Sequence, residues 1–147
     1  MERALKLTLK YGRFSGVPKT VSEQMRAIHG HGNRSTEQRL RMALVRVGQS
    51  GWVTRPRSVP GTPDFYFPSD RVAVFVDGCF WHACPKCGRV PRSNHPYWSA
   101  KLAGNRRRDR RTDRQLRATG VKVLHLWEHE LRNLPRSLSR IRHLLAR

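Results

Sequence analysis

VAVFVDGCFWHACPKC, residues 72–87, changes character halfway along. Its first part, Val72 to Val76, is β-branched, aromatic or small and reads as a buried strand. Asp77-Gly78 breaks that strand. Behind the break stand Cys79, the aromatic pair Phe80-Trp81, His82, Cys84 and Cys87, and these are all three cysteines of the chain. A buried strand that runs into clustered metal-ligand types and aromatics marks the place where a site is expected.

Upstream, Pro63-Asp64-Phe65-Tyr66-Phe67 reads as the start of another strand and Pro68-Ser69-Asp70 as a tight turn. Val72 to Val76 then returns antiparallel, as the second arm of a hairpin. This brings Asp64 near Asp77, Gly78 and the cysteines, although an aspartate opening a strand can also simply satisfy a turn. Gly51 to Pro63 is a loop with a short strand around Trp52 to Thr54. Before it, Ser35-Thr36-Glu37-Gln38 has capping-box spacing, and Leu40, Ala43, Leu44 and Val47 follow at helical intervals until Gly48. Glu37, in the first turn, either complements the helix dipole or belongs to the site.

Downstream, Gly88 to Pro96 is a basic loop and Tyr97 to Arg117 a helix stopped by Gly120. Val121 to Trp127 alternates as a strand, and a crossover helix between two strands favours their parallel pairing. Leu102, Asp109 and Leu116 are seven apart and share the inward face of the arginine-rich helix. A buried carboxylate needs a partner, here either a neighbouring arginine or a histidine of the site. Asp113, one turn on, reads as a surface ion pair. Leu134, Leu138, Ile141, Leu144 and Leu145 make a last amphipathic helix after Asn133.

With 147 residues the chain is expected to form a basic N-terminal arm over 1–20 and a single domain over 21–147. Its net charge is +20, and 24 of its 30 basic residues are arginine. Arginine forks onto phosphate, so the bias points to nucleic acid rather than to general solubility. No apolar run is long enough to span a bilayer, so a membrane role is not expected. Three cysteines within nine residues make a poor disulfide framework and a good metal cluster, which fits a reducing cytosol.

Two chemistries are written into these residues. Cys79, Cys84 and Cys87 offer three thiolates, and tetrahedral zinc wants a fourth ligand, for which His82, His125 and His129 are candidates. The alternative is a redox Cys84-x-x-Cys87 pair. Phosphodiester hydrolysis needs hard-cation ligands and a proton carrier. Asp64 is the best direct Mg²⁺ ligand, the backbone carbonyl near Val76 a second, and Glu37 could act through water. His82 can move a proton near neutrality, and Asp109 could orient its ring. Phe80, Trp81 and Trp98 could insert between bases.

The segments Met25-Arg26-Ala27-Ile28, Ser35 through Leu40, Pro60 through Phe65, Phe75 through His82, Tyr97-Trp98, Asn105 through Asp113, and Val123 through Glu128 resemble the very-short-patch-repair (Vsr) mismatch endonuclease family. The resemblance implies an α/β, restriction-endonuclease-like (PD-(D/E)xK-type) mixed sheet flanked by helices, with a structural zinc. It implies Mg²⁺-dependent nicking of duplex DNA on the 5′ side of the T in a T:G mismatch, such as arises when 5-methylcytosine deaminates. By position, Asp64 resembles the metal-binding aspartate, His82 the catalytic histidine, Asp109 its acidic partner and Glu37 the helix glutamate on metal-bound water. Phe80, Trp81 and Trp98 resemble the intercalating wedge and Met25 a residue of the arm. Lys101, Asn105 and Arg106, following Trp98, are taken as further DNA contacts.

The zinc set implied is Cys79, Cys84, Cys87 and His129, with a cysteine and a histidine exchanged relative to the family pattern. The Thr-His that usually precedes the glycine is Val76-Asp77, so Asp77 adds a carboxylate near the cation. A monomer in the bacterial cytoplasm, working at the nucleoid with mismatch-repair proteins as candidate partners, is the expectation. The alternatives are a restriction-like endonuclease without mismatch preference and a zinc-bearing DNA-binding module without activity.

Overall fold

The computed structural model describes residues 34–145. The expected arm over 1–20 and Met25 lie outside the described residues. The elements run α1 (Arg34–Arg46), β1 (Val53–Thr54), β2 (Phe65–Phe67), β3 (Val72–Asp77), α2 (His95–Ala118), β4 (Lys122–Trp127), a 3-10 turn (Glu128–Arg132) and α3 (Leu134–Leu145).

The strands form one sheet in the order β1-β2-β3-β4. The first three pair antiparallel and β3 pairs parallel with β4, as the crossover through α2 requires. The hairpin register sets Phe65 opposite Val74 and Phe67 opposite Val72. In the parallel pair Phe75 faces His125 and Asp77 faces Trp127.

Residues alternate between the faces of a strand, so β3 feeds two cores. Val72, Val74 and Val76 join Phe65, Phe67, Leu124 and Leu126 beneath α1 and α3, which contribute Leu40, Leu44, Leu138 and Ile141. Ala73, on the other face, packs with Leu116 of α2 and Val121, with Tyr66 and Phe75 alongside. Helices on both sides of β3 explain why it reads as an unbroken apolar run. No helix among the described residues is long and apolar enough to cross a membrane.

Two expectations change in detail. Ser35 lies inside α1, which already includes Arg34, so it is not the residue just outside the helix that a capping box needs. The long helix begins at His95, two residues before Tyr97, because Pro96 falls in its first turn, where a missing N–H costs nothing.

The loop that delivers Asp64 to the sheet depends on Gly61. Its φ is +78°, and a Cβ there would run into Thr112 Cγ2 and lie 3.2 Å from the Phe75 ring. Gly48 also has positive φ, +70°, but a Cβ added there meets nothing among the described residues within 4 Å. Gly48→Ala is expected to cost about 1 kcal/mol from backbone strain alone, and Gly61→Ala about 2 kcal/mol or more because a clash adds to it. Urea unfolding of the two variants side by side measures the difference.

Candidate active site and metal centre

The C-terminal ends of the two parallel strands, the loop after β3 and the inward face of α2 enclose a cavity of about 230 Å³. Asp64, Asp77, His82, Asp109, Asp113 and His125 all line it.

Asp64 stands one residue before β2, where the hairpin register brings it against β3. The Val76 N–H donates to its Oδ2 at 2.7 Å. The carboxyl is buried, and burial pushes its pKa up to about 6; the Val76 bond opposes this, while Glu37 and Asp77 add to it. Glu37, from α1, is paired with Arg55, whose Nε lies 4.0 Å from Asp64 Oδ1. Arg55 was invisible to sequence reasoning, one arginine among 24 in a loop without periodicity.

The raised Asp64 pKa has a direct consequence for stability. The unfolded chain gives up this proton near the ordinary carboxyl value of 3.8 and the folded protein near 6. Stability is therefore lost as pH rises through that window and stays lost above it. Asp64→Asn is expected to stabilise the metal-free protein by about 2–3 kcal/mol at pH 8 and by little at pH 4. Denaturant titrations at the two pH values check this.

His82 sits in the turns after β3, where its N–H bonds to the Gly78 carbonyl. Its ring Nδ1 lies 2.6 Å from Asp109 Oδ2, so an Nδ1–H donates to α2 and leaves Nε2 free for chemistry. Of the two partners open to Asp109 from the sequence, the structure brings it to the histidine. Burial alone would lower His82, but the Asp109 bond and the charges of Asp77 and Asp109 outweigh it, and the ring is held above its usual value.

His125 and Asp113 differ from expectation. Asp113 is not only a surface partner of Arg117, which lies 4.0 Å away, but accepts from His125 Nε2 at 2.9 Å. His125 Nδ1 donates to Asp77 Oδ2 at 2.6 Å, so His125 is turned away from the cysteines. Its ring also stacks on Phe75, with centroids 5.0 Å apart. Strand alternation could have put His125 and Phe75 on one face, but not the two aspartates, which come from β3 and α2.

The cysteines and His129 form a second cluster beside the cavity. Their ligand atoms all lie within 4.8 Å of one another. His129 Nδ1 is 3.3 Å from Cys79 Sγ, 3.7 Å from Cys84 Sγ and 3.5 Å from Cys87 Sγ. A tetrahedral ion with Zn–S near 2.3 Å and Zn–N near 2.05 Å puts sulfur and nitrogen about 3.6 Å apart, so the donor set fits zinc. Burial and the Cys87 thiol push Cys79 up to about 12, a proton that a bound cation would displace.

Backbone geometry shapes this cluster. The Cys84 N–H bonds to the Cys79 carbonyl at 2.9 Å and the Gly88 N–H to the Cys84 carbonyl at 2.8 Å. A Cβ on Gly88 would sit 2.6 Å from both Cys84 N and O, so only glycine closes the knuckle. His129 rides on the 3-10 turn, which Glu130 anchors by accepting from the Trp127 N–H at 2.8 Å and from Arg140 Nη1 at 2.9 Å.

The aromatic residues form a third group. Phe80 packs edge-on against Trp81 at 5.0 Å and Trp98 at 5.4 Å, and all three are half-buried. Asn105 Nδ2 donates to the Trp81 carbonyl at 2.9 Å and ties α2 to this loop. Lys101 and Arg106 are exposed on the same helix.

The family model described as DNA mismatch endonuclease Vsr matches residues 17–88. The DNA mismatch endonuclease Vsr of Escherichia coli is 37% identical over 116 residues, 77% of this chain and 72% of that protein. The chain belongs to the Vsr family. Among its Vsr relatives, the type II nicking enzyme V.NaeI of Lentzea aerocolonigenes is 42% identical over 74% of this chain and 68% of its own length. The type II nicking enzyme V.XorIIP of Xanthomonas oryzae is 40% identical over 77% of this chain and 83% of its own. Like these Vsr-family proteins, the chain is a DNA endonuclease.

Proposed function

We propose that the protein nicks duplex DNA on the 5′ side of the T in a T:G mismatch by Mg²⁺-dependent hydrolysis. The observation that carries this reading is the convergence of Asp64 with the His82–Asp109 pair in one cavity, beside a half-buried aromatic cluster. A protein with net charge +20 that buries carboxyls around a small cavity fits a site for a cation and a phosphodiester.

Asp64 and the Val76 carbonyl would hold the Mg²⁺, with Glu37 contacting it through water. Bound there, the cation would supply positive charge for developing oxyanions and would lower the pKa of water. His82 takes or passes the proton at Nε2, while Asp109 fixes its tautomer from Nδ1. Phe80, Trp81 and Trp98, packed against one another and half-buried, would wedge into the stack, where a mismatch lowers the unstacking cost. Lys101, Asn105 and Arg106 follow Trp98 along α2 and would contact the duplex there. Met25 takes the place of the arm residue in the same reading. Cys79, Cys84, Cys87 and His129 would hold a structural zinc that fixes the loop bearing His82 to the end of β4.

The restriction-endonuclease-like assignment, the single domain over 21–147, action as a monomer at the bacterial nucleoid and cooperation with mismatch-repair proteins belong to this proposal. The test is a nicking assay with Mg²⁺ on duplexes that differ only in carrying T:G, T:A or C:G at one position, in several flanking contexts. Cleavage confined to T:G is expected. Equal cleavage of the paired duplexes would replace this reading with a restriction-like one, and binding without cleavage would leave a DNA-binding module.

A further inference from the structure

Five side chains, aspartates and histidines in alternation, form a chain across the cavity. Asp113 of α2 accepts from His125 of β4 at 2.9 Å, and His125 donates to Asp77 of β3 at 2.6 Å. The other oxygen of Asp77 lies 4.0 Å from His82 Nδ1, and His82 returns to α2 through Asp109 at 2.6 Å. Asp109 and Asp113 are four apart and so share a helix face, which closes the circuit.

This arrangement bears on Asp77. Its carboxyl is buried, follows directly on Val76 and lines the same cavity as Asp64. Mg²⁺ is ordinarily held by one or two carboxylates, so a second carboxylate beside its site is a candidate ligand. Here one Asp77 oxygen is taken by His125 and the other faces His82.

Both ring nitrogens of His125 meet carboxylates, so both carry protons. Burial alone would lower its pKa, but the bonds and charges of Asp77 and Asp113 lift it to about 9. The ring is thus a cation at neutral pH, pinned by two bonds and by its stack on Phe75.

We propose that His125 is a positioning residue that reserves Asp77: clamped between Asp113 and Asp77, it keeps the Asp77 carboxylate as a counter-charge to the histidines and out of the cation's coordination shell. The cation site then has Asp64 as its one directly bound carboxylate. This rests on the reading of Asp64 as the metal ligand.

The test is Mn²⁺ binding to the full-length, DNA-free protein at pH 7.5, followed by calorimetry and by the electron paramagnetic resonance signal of free Mn²⁺. Asp77→Asn is expected to leave the wild-type Kd within about twofold. His125→Phe, which keeps an aromatic ring on Phe75, is expected to free Asp77 and tighten Mn²⁺ binding by about fivefold or more. Adding Asp77→Asn to it should return the Kd to the wild-type value, which a merely structural role for His125 would not produce.

Weakened binding in the Asp77→Asn protein would overturn the assignment, because Asp77 would already be a ligand. So would an unchanged Kd in a folded His125→Phe protein. If His125→Phe does not fold, the Asp77→Asn measurement decides alone. Mn²⁺ binding that survives Asp64→Asn would instead overturn the metal reading of the cavity, and this assignment with it.

Discussion

His82→Ala is expected to lower the single-turnover nicking rate by about 10²–10⁴-fold while duplex affinity stays within a few fold. That range is what a positioned acid–base group contributes to a proton transfer. The ring is half-buried with Nδ1 held by Asp109, so its loss would remove the proposed proton carrier and leave the aromatic and basic surfaces in place. The pH profile gives a sharper test. The neighbouring aspartates hold His82 above its usual value, so the rate of a base-catalysed step keeps rising above pH 6.5. Asp109→Asn removes a hydrogen bond and a charge that favour the protonated ring, so the midpoint of that rise moves to lower pH. A His82→Ala protein that nicks at the wild-type rate excludes this histidine from the chemistry.

If the cysteine cluster holds the proposed zinc, stripping it, or replacing Cys84 by Ser, is expected to lower stability by about 3–5 kcal/mol, a fall in Tm of roughly 10–20 °C for a chain of this size. Cys84 is buried, and its sulfur and those of Cys79 and Cys87 converge on one nitrogen of a residue 42 to 50 positions away in sequence. Without an ion, the loop between β3 and α2 loses its tie to the turn after β4. Both sheet cores remain, so far-UV circular dichroism is largely retained while nicking is lost as the His82 loop loosens. A strong chelator should act slowly and Zn²⁺ alone should restore the melting temperature, whereas EDTA removal of Mg²⁺ stops nicking at once without shifting the melt. A melting curve indifferent to chelation and to Cys84→Ser would sink the structural-metal reading.

Much of this architecture was legible because it rests on local signals. Val72 to Val76 is apolar on both faces, the turn at Pro68-Ser69-Asp70 is strong, and a long helix separates β3 from β4; together these leave a hairpin followed by a parallel strand. The seven-residue spacing of Leu102, Asp109 and Leu116 placed a carboxylate on an apolar face, and such a group needs a partner. Three cysteines in nine residues announced a cluster by density alone.

The choice among partners was not local. Read from spacing alone, His82, His125 and His129 were all open candidates for the cysteines, and only the family resemblance singled out His129. The parallel register of β3 and β4 puts His125 opposite Phe75, above α2, and carries His129 past the strand end to the thiols. The same register joins Asp77 to His125, and the helix pitch supplies Asp113 to the other ring nitrogen. Arg55 meets Glu37 only because the loop before β2 folds over the start of α1. Periodicity and composition thus determined which elements form and which faces are buried, since those depend on neighbours a few residues apart. Which histidine meets the thiols, which meets Asp109 and which bridges Asp77 and Asp113 is seen only in the tertiary structure, since each of those contacts joins residues from separate elements.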